Sequence, residues 1–85
     1  MEFKIRHTFL GWREVWCIED NIHSNIKLAR EMGLSYTNFT AVMNNQFNGH
    51  IMNASNIFFF RNEKDVQDAL TWIETTIIAH KLSGV

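Results

Sequence analysis

The sequence contains no proline, four glycines and a single cysteine, Cys17, among its 85 residues. One cysteine cannot form an internal disulfide, and without a Cys-x-x-Cys pair the chain lacks the usual motif of a thiol redox centre. No segment approaches the roughly 20 apolar residues that cross a bilayer, and the charged N-terminal residues lack the continuous apolar stretch of a signal peptide. These absences predict a reducing, cytoplasmic location.

Net charge is nearly absent as well. The formal charge is -1 and the pI is about 6.4, whereas proteins that bulk charge holds to nucleic acid or to anionic membranes carry a basic excess. Any such binding would have to come from a local patch. With 46% apolar and 20% charged residues in a chain of 85, the composition predicts one folded domain over residues 1–85 and no membrane partner.

Motifs for catalysis and metal binding are missing. The four histidines, His7, His23, His50 and His80, lie far apart and have no metal-ligand spacing. Cys17 lies in an apolar run, which favours a small buried hydrophobe over a nucleophile. No glycine-rich phosphate loop and no Gly-x-Ser-x-Gly motif occurs. We therefore predict a protein that is not an enzyme and that uses no cofactor or metal.

The N-terminal segment predicts a β-hairpin. Apolar and charged residues alternate over residues 2–9, which is typical of an edge strand with one face in water. The inward positions of this strand are predicted to be Phe3, Ile5, His7 and Phe9. A turn at residues 11–13 leads into residues 15–18, which are apolar on both faces and indicate a central strand. The large ring of Trp12 in the turn is expected either to cover the core, which is the favoured prediction, or to stand exposed as an anchor for a partner.

Two helices are predicted after this hairpin. The first ends at Gly33, a residue suited to the left-handed position that terminates helices. Its candidate N-caps are Asp20, Asn21 and Ser24, and its apolar positions at helical spacing are Ile22, Ile26, Ala29 and Met32. Ser35 can cap the second helix, and the turn-forming pair Asn48-Gly49 ends it. The apolar stripe of the second helix is Phe39, Val42, Met43 and Gln46-Phe47.

The C-terminal half predicts a second hairpin and a long helix. Residues 50–53 and 57–61 form the hairpin around the intervening turn. Asn62, followed three residues later by Asp65, opens the helix in the manner of a capping box, and the helix runs to about Lys81. Its buried face is predicted to be Val66, Ala69, Leu70, Ile73 and Ile77, with Trp72 and Ile78 on opposite flanks of that stripe.

The predicted order is therefore ββααββα. It describes an α+β fold with an antiparallel sheet of about four strands, a helix pair and a C-terminal helix packed on the sheet. Residues 15–18 and 57–60 are apolar on both faces, so both faces of the sheet are expected to be covered. Because only three helices are predicted, a second copy of the chain is a candidate for the other layer. A homodimer is the resulting hypothesis.

The helix pair carries the most specific motif. In helix-turn-helix units an alanine of the first helix lies close to the second helix, and a glycine four residues later makes the turn. Ala29 and Gly33 have this spacing, so residues 25–47 resemble a helix-turn-helix motif and, with the strands around them, part of a winged helix. The resemblance implies asparagines that read bases and cations that hold phosphates. The residues concerned would be Lys27, Arg30, Asn38, Asn44, Asn45, Arg61 and Lys64.

Charge argues for a different partner. The 29 residues from Met32 to Phe60 contain no Lys, Arg, Asp or Glu. A recognition helix in this span would lack the cations that supply most of the affinity for DNA. Cores of protein interfaces, in contrast, are depleted of charge and enriched in aromatic residues and Met. The pattern favours a protein-contact surface over residues 35–60. The predicted contact residues are Tyr36, Asn44, Asn45, Gln46 and, off the stripe of the last helix, Trp72.

Several segments resemble small proteins carried by phages and prophages of AT-rich bacteria. These segments are Asn25 to Gly33, Phe47-Asn48-Gly49, Phe58-Phe59-Phe60 continuing into Asp65, Ala69 and Trp72-Ile73-Glu74, and Lys81-Leu82-Ser83-Gly84. Nine asparagines and no proline also fit an AT-rich genome. The resemblance implies a small accessory protein that binds and blocks a host or defence protein, while other proteins of that size regulate transcription. We therefore expect a protein-binding module of the inhibitor type, with a DNA-binding regulator as the alternative.

Overall fold

Four strands and three helices form the part of the chain that the structure describes. The computed structural model describes residues 3–19, 25–51 and 58–83. Its elements, in chain order, are β1 Lys4–Leu10, β2 Arg13–Glu19, α1 Asn25–Glu31, α2 Tyr36–Phe47, β3 His50–Ile51, β4 Phe58–Phe60 and α3 Glu63–Leu82. The predicted order ββααββα and the α+β class are confirmed. None of the helices in these ranges is long and apolar enough to cross a membrane.

The strands form one antiparallel sheet in the order β1-β2-β4-β3. β1 pairs with β2 along its whole length, and β4 pairs with β2 through Phe60, which lies opposite Trp16. The predictions of an edge position for β1 and of a central position for β2 are confirmed, and β4 is central as well. The second predicted hairpin is present as the pair of β3 and β4. Residues 52–57, which include its turn, lie outside the described residues.

The strand register divides the sheet into two faces. Trp16, Phe58 and Phe60 lie on the face that packs against the helices, which we call the helical face. Alternation along the strands places Val15, Cys17 and Phe59 on the other face, which we call the open face. The core is one cluster on the helical side, and its members are Leu28, Ala29, Met32, Phe39, Met43, Phe58, Phe60, Val66, Ala69, Ile73 and Ile77. The predicted buried face of α3 is thus confirmed, with Leu70 half-buried at its margin.

Val15 and Cys17 are buried on the open face, which is the face of the sheet opposite the core helices. They are 3% and 0% exposed, although neither belongs to the core cluster. Both side chains are small, and Cys17 has Arg6 opposite it on one neighbouring strand and Phe59 on the other. Long side chains can cover small neighbours with their apolar stems. These positions therefore need no second copy of the chain to bury them, and the homodimer stays a prediction.

The tip of the hairpin between β1 and β2 projects beyond the core. Phe9 is 61% and Trp12 is 87% exposed, so the predictions that Phe9 points into the core and that Trp12 covers it are wrong. His7 is exposed too, with its ring centroid 5.5 Å from that of Phe9. At the other end of β1, Ile5 and the preceding residue Phe3 pack against the core cluster. None of His7, Phe9 and Trp12 belongs to the core cluster or packs against it, so no described helix covers this end of the hairpin.

Gly33 makes the corner between α1 and α2, as predicted. Its φ of 75° lies in the left-handed region. The backbone N–H groups of Gly33 and Leu34 donate to the carbonyls of Arg30 and Ala29, at 3.0 and 2.9 Å. These two bonds form the Schellman arrangement, which satisfies the last carbonyls of a helix. Ala29 is 1% exposed, which confirms it as a packing residue of the pair.

The start of α1 is less buried than predicted. Ile26 is 56% exposed, so its assignment to the buried stripe is wrong, whereas Leu28 is 7% exposed. α1 has seven residues, or about two turns, and its contacts with the core come from the end near Gly33. The predicted apolar residue Ile22 and the three candidate N-caps lie outside the described residues.

Ser35 and Asn62 cap α2 and α3, as predicted. The Ser35 hydroxyl accepts a hydrogen bond from the backbone N–H of Asn38 at 3.1 Å, and the Asn62 side-chain oxygen accepts one from the N–H of Asp65 at 2.8 Å. The Asp65 carboxylate in turn accepts from the side-chain amide of Asn62 at 2.8 Å, where a capping box would use the backbone N–H. At the other end of α2, Asn48 adopts a left-handed φ of 57° and ends the helix.

Replacing Asn62 by alanine is expected to lower the free energy of unfolding by about 1 kcal/mol, because the N–H of Asp65 loses its acceptor. Urea unfolding followed by far-ultraviolet circular dichroism measures the change. Gln67→Ala is the control, since it removes only an exposed side-chain contact with Glu63 at 3.0 Å, and we expect a change below about 0.5 kcal/mol. Equal losses in the two variants would contradict a capping role for Asn62.

Candidate functional site

The outer side of α2 is an uncharged surface. Phe39 and Met43, which are 0% and 2% exposed, anchor the helix on the core, and the residues on its other side face solvent. The exposed residues of α2, which we call the α2 surface, are Tyr36, Thr37, Asn38, Ala41, Asn44, Asn45 and Gln46. All four predicted contact residues in this helix are thus accessible. None of the exposed residues in the helix is Lys, Arg, Asp or Glu.

Asparagine amides dominate the α2 surface. Asn38, Ala41 and Asn45 follow each other at i, i+3 and i+7 and therefore share one side of the helix. Each amide offers both donors and an acceptor. Asn44 is partly committed to the fold, because its side-chain amide donates to the carbonyl of Gly49 at 3.3 Å. The α2 surface can therefore match a polar partner surface without requiring an opposite charge.

Apolar side chains lie at both ends of the α2 surface. Tyr36, at the first position of the helix, is 38% exposed. Beyond the helix, the chain passes through the buried Gly49 into β3, where Ile51 is 41% exposed. Aromatic and aliphatic side chains of this kind are the residues that anchor protein interfaces.

Trp72 positions α2 instead of standing on the exposed surface. Its ring stacks on Phe39 at a centroid distance of 6.1 Å and an angle of 15°, and it lies 5.6 Å from the ring of Phe47. The side chain is half-buried. Its position off the stripe of α3, which predicted an interface residue, is explained by this contact with α2. Only the accessible edge of Trp72 can contribute to a contact with a partner.

Carboxylates lie near the C-terminal end of α2. The side-chain amide of Asn48 contacts the Asp65 carboxylate at 3.5 Å, which brings the first turn of α3 beside the end of α2. That turn also contains Glu63. The cation of that turn, Lys64, is paired with Asp68, so a DNA phosphate that approached the end of α2 would meet more negative than positive charge.

The cations predicted to hold phosphates do not gather around α2. Lys64 is paired with Asp68 at 2.9 Å, and the hydrogen bond and the charge of this carboxylate raise the pKa of Lys64. Arg61 lines a cavity on the open face of the sheet. Lys27 and Arg30 are exposed on α1. Of the four predicted cations, only these two belong to the helix pair.

A cluster on the open face was missed by the sequence analysis. Arg13, His50 and Arg61 line a cavity of about 90 Å³ together with Leu10, Val15 and Phe59. These residues come from all four strands and from the residue that follows β4. The alternation of β1 and β2 gave a partial signal, but nothing in the sequence placed His50 or Arg61 beside Arg13.

Neither a metal centre nor an activated nucleophile is evident in the described part of the chain. No three His, Cys, Asp or Glu residues in residues 3–19, 25–51 and 58–83 lie together in a way that could hold a metal ion. His7 pairs with Glu14 at 2.7 Å, but both side chains are about half exposed. The thiol of Cys17 is fully buried, where a substrate cannot reach it.

The chain matches no protein-family model, no curated protein and no solved structure. Its function is therefore inferred from the surfaces of the described residues.

Proposed function

We propose that this protein is a non-enzymatic protein-binding module that uses the α2 surface and the adjoining hairpin, residues 35–60, to contact its partner. An inhibitor of the phage type, which blocks a host or defence protein by occupying its surface, fits this proposal. The observation that carries it is the α2 surface itself. Seven residues of this helix are exposed, and none of them is charged.

Desolvation explains why such a surface suits a protein partner. Burying an ionised side chain costs several kcal/mol unless it is paired, whereas a buried amide needs only a hydrogen-bond partner. Asn38 and Asn45 can find such partners in any protein surface with backbone or side-chain polar groups. Soluble proteins normally place charges on exposed helix faces, so an exposed helix without any is a candidate for burial in a complex.

The size of the surface requires the hairpin as well. A helix of 12 residues is about 18 Å long, and one exposed side of it is smaller than the roughly 800 Å² that each partner contributes to a stable interface. Tyr36 and Ile51 extend the contact at its two ends. We expect these two side chains to anchor the interface and the amides between them to set its specificity.

A DNA-binding regulator is the second candidate. The observation in its favour is the Schellman corner at Gly33, followed by a helix with Asn38, Asn44 and Asn45 on its exposed side. The charges favour the protein partner, because Lys64 is paired with Asp68 and a recognition helix without cations lacks the main source of DNA affinity.

Replacing Tyr36 and Asn45 together by lysine is expected to weaken binding of the protein partner at least about tenfold, because two charges enter an uncharged contact. Immobilised protein captures the partner from a host lysate, and the affinity of the captured protein is then measured with the purified variants. The control is Thr75→Lys at an exposed position on α3, which should bind like the wild type.

The same variants separate the two candidate functions. If the α2 surface reads DNA, the two added lysines should strengthen binding to duplex DNA. Wild-type affinity should then fall steeply as salt concentration rises. A clear negative slope of log affinity against log salt, with tighter binding by the double variant, would contradict the protein-binding proposal.

A further inference from the structure

The open face of the sheet contains a small apolar cavity with cations at its margin. The cavity has a volume of about 90 Å³, and its lining includes Leu10, Val15 and Phe59 together with Arg13, His50 and Arg61. No Asp or Glu is among the lining residues. The cavity lies on the opposite side of the sheet from the helices, because register places Val15 and Phe59 on the open face.

Within the described residues, no carboxylate neutralises Arg13 or Arg61. Glu14 next to Arg13 in sequence points to the other face of β2, where it pairs with His7 at 2.7 Å. In the first turns of α3, Asp65 accepts from Asn62 and Asp68 pairs with Lys64. The positive charge of the two guanidinium groups is therefore available to a partner.

An exposed aromatic residue lies beside one of these cations, Arg13. The guanidinium of Arg13 lies over the Trp12 ring at 5.6 Å from its centroid, and Trp12 is 87% exposed. Trp and Arg are the residue types most enriched at the energetic centres of protein interfaces. An exposed tryptophan ring offers a partner a large apolar surface to bury. The cavity, Arg13, Arg61 and Trp12 together form what we call the open-face site.

We propose that the open-face site binds an acidic peptide segment of a partner protein, with an apolar side chain in the cavity and carboxylates on Arg13 and Arg61. The apolar lining fits a side chain of the size of leucine or valine. Arginine forms charge-assisted and often bidentate hydrogen bonds with carboxylates. The combination of one apolar position flanked by negative charges defines the ligand chemically.

Two other occupants fit the site less well. A second copy of this chain, bound through the same patch on both subunits, would bring Arg13 and Arg61 towards their own copies and create like-charge repulsion. Single-stranded nucleic acid needs a cationic groove that follows several phosphates and a platform of stacked aromatic rings. The lining of this cavity contributes two arginines and is otherwise largely apolar.

The open-face site shares His50 and Phe59 with the hairpin of the proposed contact surface. It shares no residue with the α2 surface and lies on the other side of the sheet from it. Its test therefore uses variants that leave the α2 surface intact. The probe is a fluorescein-labelled peptide in which leucine alternates with glutamate. The reference probes are the same peptide with glutamine in place of glutamate, and a labelled oligothymidylate of similar length.

Fluorescence anisotropy is expected to show binding of the glutamate peptide and at least about tenfold weaker binding of the glutamine peptide. Arg61→Glu and Arg13→Glu should each lower the affinity for the glutamate peptide by about tenfold or more, and Trp12→Ala should lower this affinity as well. Lys81→Glu makes the same charge change on the exposed C-terminal part of α3 and should have no effect. Tyr36→Lys combined with Asn45→Lys should also leave this binding unchanged.

Three results would overturn the proposal. Equal affinity for the glutamate and glutamine peptides would show that charge does not select the ligand. Tighter binding of the oligothymidylate would identify a nucleic-acid surface instead. A dimer in sedimentation equilibrium that Arg61→Glu dissociates would show that the site is a contact between copies of the chain. Circular dichroism of each variant establishes beforehand that the fold is retained.

Discussion

Phe39→Ala is expected to lower the free energy of unfolding by about 3–5 kcal/mol. Phe39 is 0% exposed and lies where α2, α3 and β4 meet. Its ring makes an edge contact with Phe58 at 5.8 Å and stacks on Trp72 at 6.1 Å. Truncation to alanine removes the free energy gained by burying the ring and leaves a cavity between three elements. Because the interior is closely packed, a small shift of the helix cannot fill this cavity.

Urea denaturation measures the effect of Phe39→Ala. Since domains of this size are stable by only about 5–15 kcal/mol, the variant should unfold at much lower urea concentration. Asn45→Ala on the exposed side of the same helix is the control, with an expected change within about 0.5 kcal/mol. If the two variants unfold at the same urea concentration, the result would contradict the structure, in which Phe39 anchors α2.

Gly33→Ala is expected to cost about 2–4 kcal/mol for two separate reasons. A residue with a side chain at a φ of 75° lowers the free energy of unfolding by about 1–2 kcal/mol, because the left-handed region is unfavourable for it. A β-carbon at this position would also lie 2.5 Å from Nδ1 and 2.8 Å from Cε1 of the His80 ring. Gly33 therefore both turns the chain and lets the end of α3 approach the corner of the helix pair.

The two reasons can be separated with His80→Ala. This variant removes the ring that the new β-carbon would meet, so Gly33→Ala in the His80→Ala background should cost only the backbone share, about 1–2 kcal/mol. Thermal and urea unfolding of the four proteins of this double-mutant cycle give the coupling. An unchanged cost in the two backgrounds would show that the contact with His80 imposes no penalty on a side chain at Gly33.

The elements that sequence predicted correctly depend on neighbours along the chain. Ser35, Asn62 and Gly33 act on backbone groups within a few residues of themselves, so their roles follow from local chemistry. The buried face of α3 was predictable for the same reason, since Val66, Ala69, Ile73 and Ile77 repeat at helical spacing over 20 residues. A long periodic segment leaves little doubt about which side is apolar.

The predictions that failed concern what covers a side chain. Ile26 and Phe9 are apolar at positions where periodicity favours burial, yet they are 56% and 61% exposed. Trp12, in the turn of the hairpin, is 87% exposed. Periodicity describes the face of an element to which a residue belongs. It does not describe how far the neighbouring elements extend, and here no described helix covers the tip of the hairpin.

The candidate sites show the same division. The lack of charge from Met32 to Phe60 is a property of the chain, and together with the helical period it was sufficient to locate an uncharged exposed helix. The predicted interface role of Trp72 depended on its surroundings instead, and the structure explains most of its position by the stacking on Phe39. Arg61, grouped by sequence with the helix pair, lines the open face with Arg13 and His50.

Local chemistry along the chain thus decided the order of strands and helices, their caps and the uncharged character of α2. The packed structure alone decided that all described helices share one face of the sheet, that the hairpin tip with Trp12 stands in water, and that cations distant in sequence meet around one cavity. The physical reason is range. Hydrogen bonds and dihedral preferences act between close neighbours in the chain, whereas burial and the grouping of charges depend on strand order, which brings together residues as far apart as Arg13 and Arg61.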